Sequence, residues 1–301
     1  ACGVVGLKPS RGRVSPGPFG VEGVGLATNG VITRTVRDSA AFLDVLSRPR
    51  PGDTWSLPGE EGGFLAACER DPGRLRIGLL FEPLNCDEID LHPEAEAAAN
   101  HAASLLEEAG HSVLPAPRPM TGEDWMTFMP LWSTSAAQIP LPPEAEDLLE
   151  PLTRWLREMG KGFGAAEYAD AFNGMQALAR RLVTAWADFD IILTPTLSAP
   201  PLPPSELVLP EDPAADFEAQ KRFTPWTSVW NMLGAPSISV PIHSAAVADP
   251  EKPGGTVELP FGAMLGAVRP GAESMLLQVA AQLETADPWD ARIGRLISLY
   301  R

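Results

Sequence analysis

Apolar positions along the chain follow two rhythms. Short runs of consecutive apolar residues stand at Leu75–Phe81, Phe189–Thr194 and Ser237–Ile242, with a weaker one at Ser112–Leu114. Each is bounded by proline, glycine or charged residues, which is how buried strands read. Val257–Val268 adds one or two strands broken by glycine. Between these runs the apolar period lengthens to three or four residues. Thr35 and Asp38 fit a helix N-cap and its N3 partner, with Val36, Leu43 and Leu46 on one face. His92-Pro93-Glu94 opens a second helix that Gly110 stops. Ala165–Trp186, Phe217–Leu233 and Ala272–Glu284 give three more. Pro115–Pro143, rich in proline and tryptophan, and the proline-dense Pro195–Pro213 read as loops. Strands separated by helices predict an α/β fold with a mostly parallel sheet.

Composition narrows the function classes. The chain has 301 residues, 39 acidic and 23 basic, for a formal charge of −16. A surface that acidic repels phosphate backbones, so nucleic acid is not the expected partner. No window approaches eighteen uninterrupted apolar residues, so no membrane span is expected. Cys2, Cys68 and Cys86 are odd in number and widely spaced. They suggest neither a disulfide framework nor a metal pair, and with no signal-peptide pattern they predict a cytoplasmic protein. Neither an internal repeat nor a linker interrupts residues 1–301, which read as one compact domain.

Familiar catalytic motifs are missing. No GxSxG elbow occurs. The glycines at Gly20, Gly23 and Gly25 lack the third fingerprint glycine, since Thr28 holds its place, and Gly160-Lys161-Gly162 lacks Walker spacing. His92, His101, His111 and His243 never fall at paired ligand spacing, so no metal is expected. The carboxylate pairs Glu60-Glu61, Asp87-Glu88 and Glu107-Glu108 sit in polar surroundings that would leave them solvated.

The opening block is specific. Residues 1–15, ACGVVGLKPSRGRVS, resemble the C-terminal part of the amidase signature. Three later blocks agree in order. Asn29-Gly30-Val31-Ile32-Thr33-Arg34-Thr35-Val36-Arg37-Asp38 is similar to the family's GP-x-x-R-T-V-x-D entry. Asp190–Thr196 resembles its D-hydrophobic-T-P-T strand, and Asn231–Pro241 its N-x-x-G-x-P element. Gly25–Asp38 and Pro51-Gly52-Asp53 look most like a bacterial branch of that family.

The resemblance implies an amidase-signature fold, a mixed central sheet flanked by helices, of which this chain is the larger C-terminal part. It implies hydrolysis of carbon–nitrogen amide bonds through an acyl-serine intermediate, with no cofactor. The family's Ser–cis-Ser–Lys triad belongs upstream of Ala1, so this chain is expected to be an N-terminally truncated fragment, inactive alone. Lys8 sits in the Gly-Leu-Lys-Pro element, which does not match the catalytic lysine. Ser10 and Ser15 follow the signature and do not match the nucleophile. The alternative is a non-catalytic chain of the same fold that binds a ligand or completes another subunit.

A small-molecule amide is the expected partner, and a homodimer stays open. Trp132, Ser133, Thr134 and Ser135, in an apolar loop, are candidates to line its pocket. Thr194 at a strand's C-terminal end and Asn231 at a helix end join them. Arg34 and Asp38, four apart at a helix start, are expected to pair.

Overall fold

The computed structural model describes residues 2–21, 23–203, 206, 208–249, 252 and 254–289. Ala1, at the head of the signature block, and residues 204, 205 and 207 of the proline-dense stretch lie outside them.

Seven strands form one sheet in the order β2-β1-β6-β7-β5-β3-β4. They are β1 (Val5–Lys8), β2 (Ile32–Thr33), β3 (Arg76–Leu79), β4 (Ser112–Pro115), β5 (Ile191–Pro195), β6 (Ser237–Ala248) and β7 (Thr256–Ala267). Only the β3–β4 and β3–β5 pairs are parallel; β1–β2, β1–β6, β5–β7 and β6–β7 are antiparallel. The expected mostly parallel sheet is therefore corrected to a mixed one. Parallel neighbours need helical crossovers, and these exist only around β3, β4 and β5. No helix among the described residues separates β6 from β7, which follow one another in the chain and pair antiparallel.

β6 runs past the expected Ile242 because its far half pairs only with β7. Its register shifts between Val240 and His243, around Pro241, whose missing N–H cannot serve a regular ladder. Val257–Val268 is one strand, β7, in place of two.

Ten α-helices and one short 3-10 helix (Pro143–Leu148) flank the sheet among the described residues. α1 (Val36–Leu46), α3 (Pro93–Glu108) and α10 (Glu273–Ala286) cover one face. α4 (Gly122–Met126), α5 (Met129–Ala137), α6 (Pro151–Lys161), α7 (Ala165–Ala185) and α9 (Val229–Leu233) build the core of the other. The remaining two are α2 (Phe64–Ala67) and α8 (Pro213–Phe223). Strand alternation divides the cores: Ile191 and Leu193 point into the first, Ile192 into the second. α3 presents Ala95, Ala98, Ala99, Ala102 and Ala103, small enough to let its backbone approach the sheet closely. On the opposite face Trp230 lies flat against Gly266 of β7, where an added Cβ would meet the indole at 2.0 Å.

Three local expectations change. Pro115–Pro143 is not a loop, since it holds α4 and α5. Thr121 caps α4 through a reciprocal box with Asp124, and Pro130 stands in the first turn of α5, where its missing N–H costs nothing. Phe217–Leu233 is not one helix. Pro225 can neither donate to the helical ladder nor leave Thr224 helical, so α8 stops at Phe223 and α9 restarts at Val229. Arg34 and Asp38 form no ion pair among the described residues. The Asp38 N–H donates to Thr35 Oγ1 at 3.1 Å, as the N-cap pattern predicts, and Arg37 takes the nearby carboxylate of Glu69 at 2.7 Å.

Candidate substrate-binding cavity

A cavity of about 270 Å³ lies beside the second core, walled by α4, α5, α8, α9 and the loops carrying Leu26 and Asn85. Its apolar wall is aromatic. Trp125 meets Phe128 edge-on at 4.6 Å and Phe217 at 5.9 Å, and Phe128 meets Trp132 at 6.2 Å. The α4 capping box fixes Trp125, whose Nε1 donates to Ser228 Oγ at 2.8 Å. Pro225, by breaking α8 from α9, turns Thr227 and Ser228 toward the same space.

Two motifs seen in the sequence meet behind this wall. Asn231 Nδ2 donates to the Leu26 carbonyl at 2.6 Å. Arg11, from the opening block, donates from Nε to Gly25 O at 2.6 Å and from Nη2 to Asn231 O and Met232 O at 3.0 and 3.3 Å. Its own N–H reaches Gly234 O at 3.0 Å. Gly234 closes α9 in the left-handed region at φ 68°, and a Cβ there would sit 3.0 Å from the guanidinium carbon. The opening block and the N-x-x-G element are therefore one folded unit.

The polar groups of the wall are few. Asn85 is 2% exposed; its Nδ2 donates to Thr224 O at 3.2 Å while Oδ1 has no partner. Lys221 is buried, with Nζ 2.9 Å from Glu218 Oε1 and 5.0 Å from the Trp125 ring centroid.

The signature-block side chains are occupied elsewhere. Lys8 Nζ donates to Pro9 O at 2.8 Å. Burial, reinforced by the Arg11 charge, pushes its pKa down to about 7. Ser10 Oγ accepts from Gly271 N–H at 2.8 Å, and Ser15 Oγ donates to Asp53 at 2.7 Å. Arg13 and Glu273 form a buried ion pair at 3.1 Å, and Ser10 N–H donates to the same carboxylate at 2.8 Å. Burial opposes ionisation of Glu273, but Arg13 and Ser10 outweigh it and hold the carboxyl below its ordinary range. Among the described residues no lysine Nζ hydrogen-bonds a serine hydroxyl, and no cluster of His, Cys, Asp and Glu could hold a metal ion.

The family model described as Amidase matches residues 1–277. The chain belongs to the amidase signature family. It is 33% identical over 324 residues to a 6-aminohexanoate-cyclic-dimer hydrolase of Pseudomonas sp. (strain NK87), covering 100% of this chain and 62% of that one. The enzyme of the same name from Paenarthrobacter ureafaciens is also 33% identical, again with 62% of its length covered. A solved 6-aminohexanoate cyclic dimer hydrolase superposes with a TM-score of 0.81 at 30% identity, over 98% of this chain and 63% of that one. A bacterial aryl acylamidase of the family shares the fold, with a TM-score of 0.70 at 21% identity. The chain thus spans about three fifths of the length of the relatives it matches.

Within this amidase-family frame, the residues singled out in the sequence separate. Trp132 and Asn231 line the cavity; Ser133, Ser135 and Thr194 do not. Residues 132–135 occupy a turn of α5, where Ser133 Oγ donates back to Met129 O and Ser135 Oγ to Leu131 O, both at 2.7 Å. Ser133 is fully buried because α6 crosses it at Gly160, where a Cβ would sit 2.1 Å from Ser133 O. Thr194 is buried in β5 and donates to Pro195 O at 2.8 Å. Asn85, Lys221, Thr227 and Ser228 were not visible as site residues, because only the break at Pro225 and the fold of the loop after β3 bring them together. Lys221 did carry one local cue, Glu218 one turn earlier.

Proposed function

We propose that this chain is the larger, C-terminal part of an amidase that hydrolyses amide carbon–nitrogen bonds through an acyl-serine intermediate, and that it supplies the pocket while the catalytic triad lies outside it. The observation carrying this reading is the aromatic cavity beside the Arg11-held junction of two family motifs. It is a compact apolar slot with few polar groups, which suits a neutral amide: the carbonyl and N–H find hydrogen-bond partners at Thr227, Ser228 and Asn85, and the hydrocarbon part packs on Trp125, Phe128 and Trp132. Trp132 and Asn231 are substrate-binding residues on this reading, Asn231 by shaping the wall.

An acyl-transfer serine needs an effective base within roughly 2.6–3.2 Å. Ser10 Oγ accepts from the Gly271 N–H, and Ser15 Oγ donates to Asp53, whose carboxyl that bond holds below its ordinary range and so leaves a weak base. The chain by itself is then without amidase activity, a single amidase domain lacking its N-terminal part. The acidic surface favours neutral or cationic amides over anionic ones. The unpaired thiols of Cys2, Cys68 and Cys86 fit a reducing, cytoplasmic setting, and no helix among the described residues is long and apolar enough to cross a membrane.

The test treats the 301-residue chain with a fluorophosphonate probe and an anilide panel. No labelled serine and background hydrolysis are expected, with anilides nonetheless binding and quenching tryptophan fluorescence. Stoichiometric labelling of Ser10 or Ser15 would overturn the assignment of the triad. Absence of any anilide binding would overturn the pocket.

A further inference from the structure

Lys221 borders two cavities at once. On one side is the 270 Å³ aromatic slot; on the other is an open cavity of about 530 Å³ whose apolar wall is Cys86, Gly122 and Met126 and whose remaining wall is charged, Asp87, Glu88, Glu123, Glu218 and Arg222. The two share this residue, and beside it three pairs of chain neighbours divide between them: Asn85 faces one and Cys86 the other, Trp125 one and Met126 the other, Phe217 one and Glu218 the other. Such pairing means a wall about one residue thick. The Lys221 side chain is the element of that wall facing both ways.

Glu218, Met126 and Trp125 hold the lysine in place. Its side chain is 8% exposed. Nζ donates to both carboxylate oxygens of Glu218 at 2.9 and 3.2 Å and reaches Met126 Sδ at 3.8 Å. The ammonium stands 5.0 Å from the centroid of Trp125, the ring that forms the aromatic slot. Four methylenes close the gap while the charge is neutralised at its far end, an arrangement long amphipathic side chains suit.

We propose that Lys221 is the specificity-determining partition that sets how long an acyl chain the aromatic slot accepts. This rests on the reading of that slot as the substrate pocket. With the lysine in place, an acyl group ends against its methylenes. Shortening the side chain joins the slot to the second cavity, so further methylenes of a ligand find room against Cys86, Gly122 and Met126 and bury apolar surface there, each worth up to about 0.8 kcal/mol or roughly fourfold in affinity.

The experiment titrates the chain with n-alkanoyl anilides from acetyl to decanoyl, following the fluorescence of the tryptophans that line the slot. In wild type, affinity is expected to climb with chain length and then level off. In Lys221→Ala the levelling is expected two or more carbons later, with decanoyl anilide binding at least tenfold tighter than to wild type and acetyl anilide unchanged. Lys221→Met, which keeps the bulk and removes the charge, is expected to keep the wild-type break. Glu218→Ala, at a half-exposed position that leaves the core intact, frees the ammonium and is expected to move the break in the same direction as Lys221→Ala by a smaller amount. It serves if the alanine variant at 221 does not fold. Binding of anilides with the same break in wild type and both alanine variants overturns the partition and leaves the pocket standing. Loss of the break in Lys221→Met assigns the effect to charge and also overturns it. No anilide binding by any form overturns the pocket itself, and the partition with it.

Discussion

Asn231 Nδ2 donates to the Leu26 carbonyl at 2.6 Å, joining the wall of the cavity to a loop 205 residues earlier. The side chain of Asn231 is therefore committed to the protein, and its influence on a ligand runs through the placement of Leu26. Replacing it with alanine leaves that carbonyl unpaired, which costs about 1–3 kcal/mol. Asn231→Ala is expected to lower the midpoint of urea unfolding and to weaken anilide binding on the order of tenfold. Ser135→Ala, whose hydroxyl serves only the Leu131 carbonyl, is expected to leave affinity unchanged. Equal affinities in wild type and Asn231→Ala would place the ligand elsewhere.

Glu273 gives the fold an acid-sensitive joint. Its carboxyl is held below the ordinary range in the folded state, so the unfolded chain binds the proton first. The stability this supplies is present above the unfolded-state pKa and is lost as pH falls through the lower folded one. Glu273→Gln should remove that part of the acid dependence and, by leaving Arg13 buried without its partner, cost about 3–5 kcal/mol near neutrality. Urea midpoints at pH 7, 5 and 4 for both forms provide the check. An unchanged difference across that range would show that the pair contributes nothing to acid unfolding.

Lys8 makes stability rise with pH as well, but in a higher window and as a penalty that is relieved. Burial lowers its pKa to about 7, so between about 7 and the ordinary lysine value the unfolded chain holds a proton that the folded chain lacks. Stability then rises with pH across that window, at most ~1.4 kcal/mol per pH unit. Lys8→Met carries no such proton. It is expected to be the more stable form at pH 6.5 and to lose part of that advantage by pH 9. A constant gap between the two proteins would place the amine in water.

Gly160 is where helix packing is tightest. A methyl group there would stand 2.1 Å from Ser133 O and 2.8 Å from Thr134 N, both backbone atoms that cannot swing aside. Gly160→Ala must push α6 off α5, costing about 1–3 kcal/mol or more. A fall in melting temperature of several degrees is expected, whereas Gly162→Ala, whose nearest neighbour would be 3.3 Å away, should change it far less.

The strands and most helices could be read in the sequence because burial imposes a period that needs no knowledge of partners. Leu75–Phe81, Phe189–Thr194 and Ala165–Trp186 appear within a few residues of where the pattern put them. Strand direction was harder to read. The missing helix between Ile242 and Val257 was the local sign of an antiparallel hairpin, and it was outweighed by the alternation elsewhere. Helix α5 was hidden by a proline that stands in its first turn, where it does no harm, and α4 by being only five residues long. The cavity was the least legible part. Trp132 announced itself by lying in a stretch too apolar for an idle surface loop, but Asn85 and Lys221 look ordinary until the loop after β3 and the end of α8 are brought side by side.

Arg11 touches the carbonyls of Gly25, Asn231 and Met232 as well as packing on Gly234, and this has a practical consequence for recombination within the family. Crossover points are usually chosen in loops, and the stretch near residue 20 looks suitable. A hybrid joined there would place one parent's arginine against another parent's Gly25 and α9, with three acceptors and a left-handed glycine required to match it to within tenths of an ångström. Hybrids that exchange residues 1–26 together with 225–236 should fold far more often than hybrids exchanging either stretch alone.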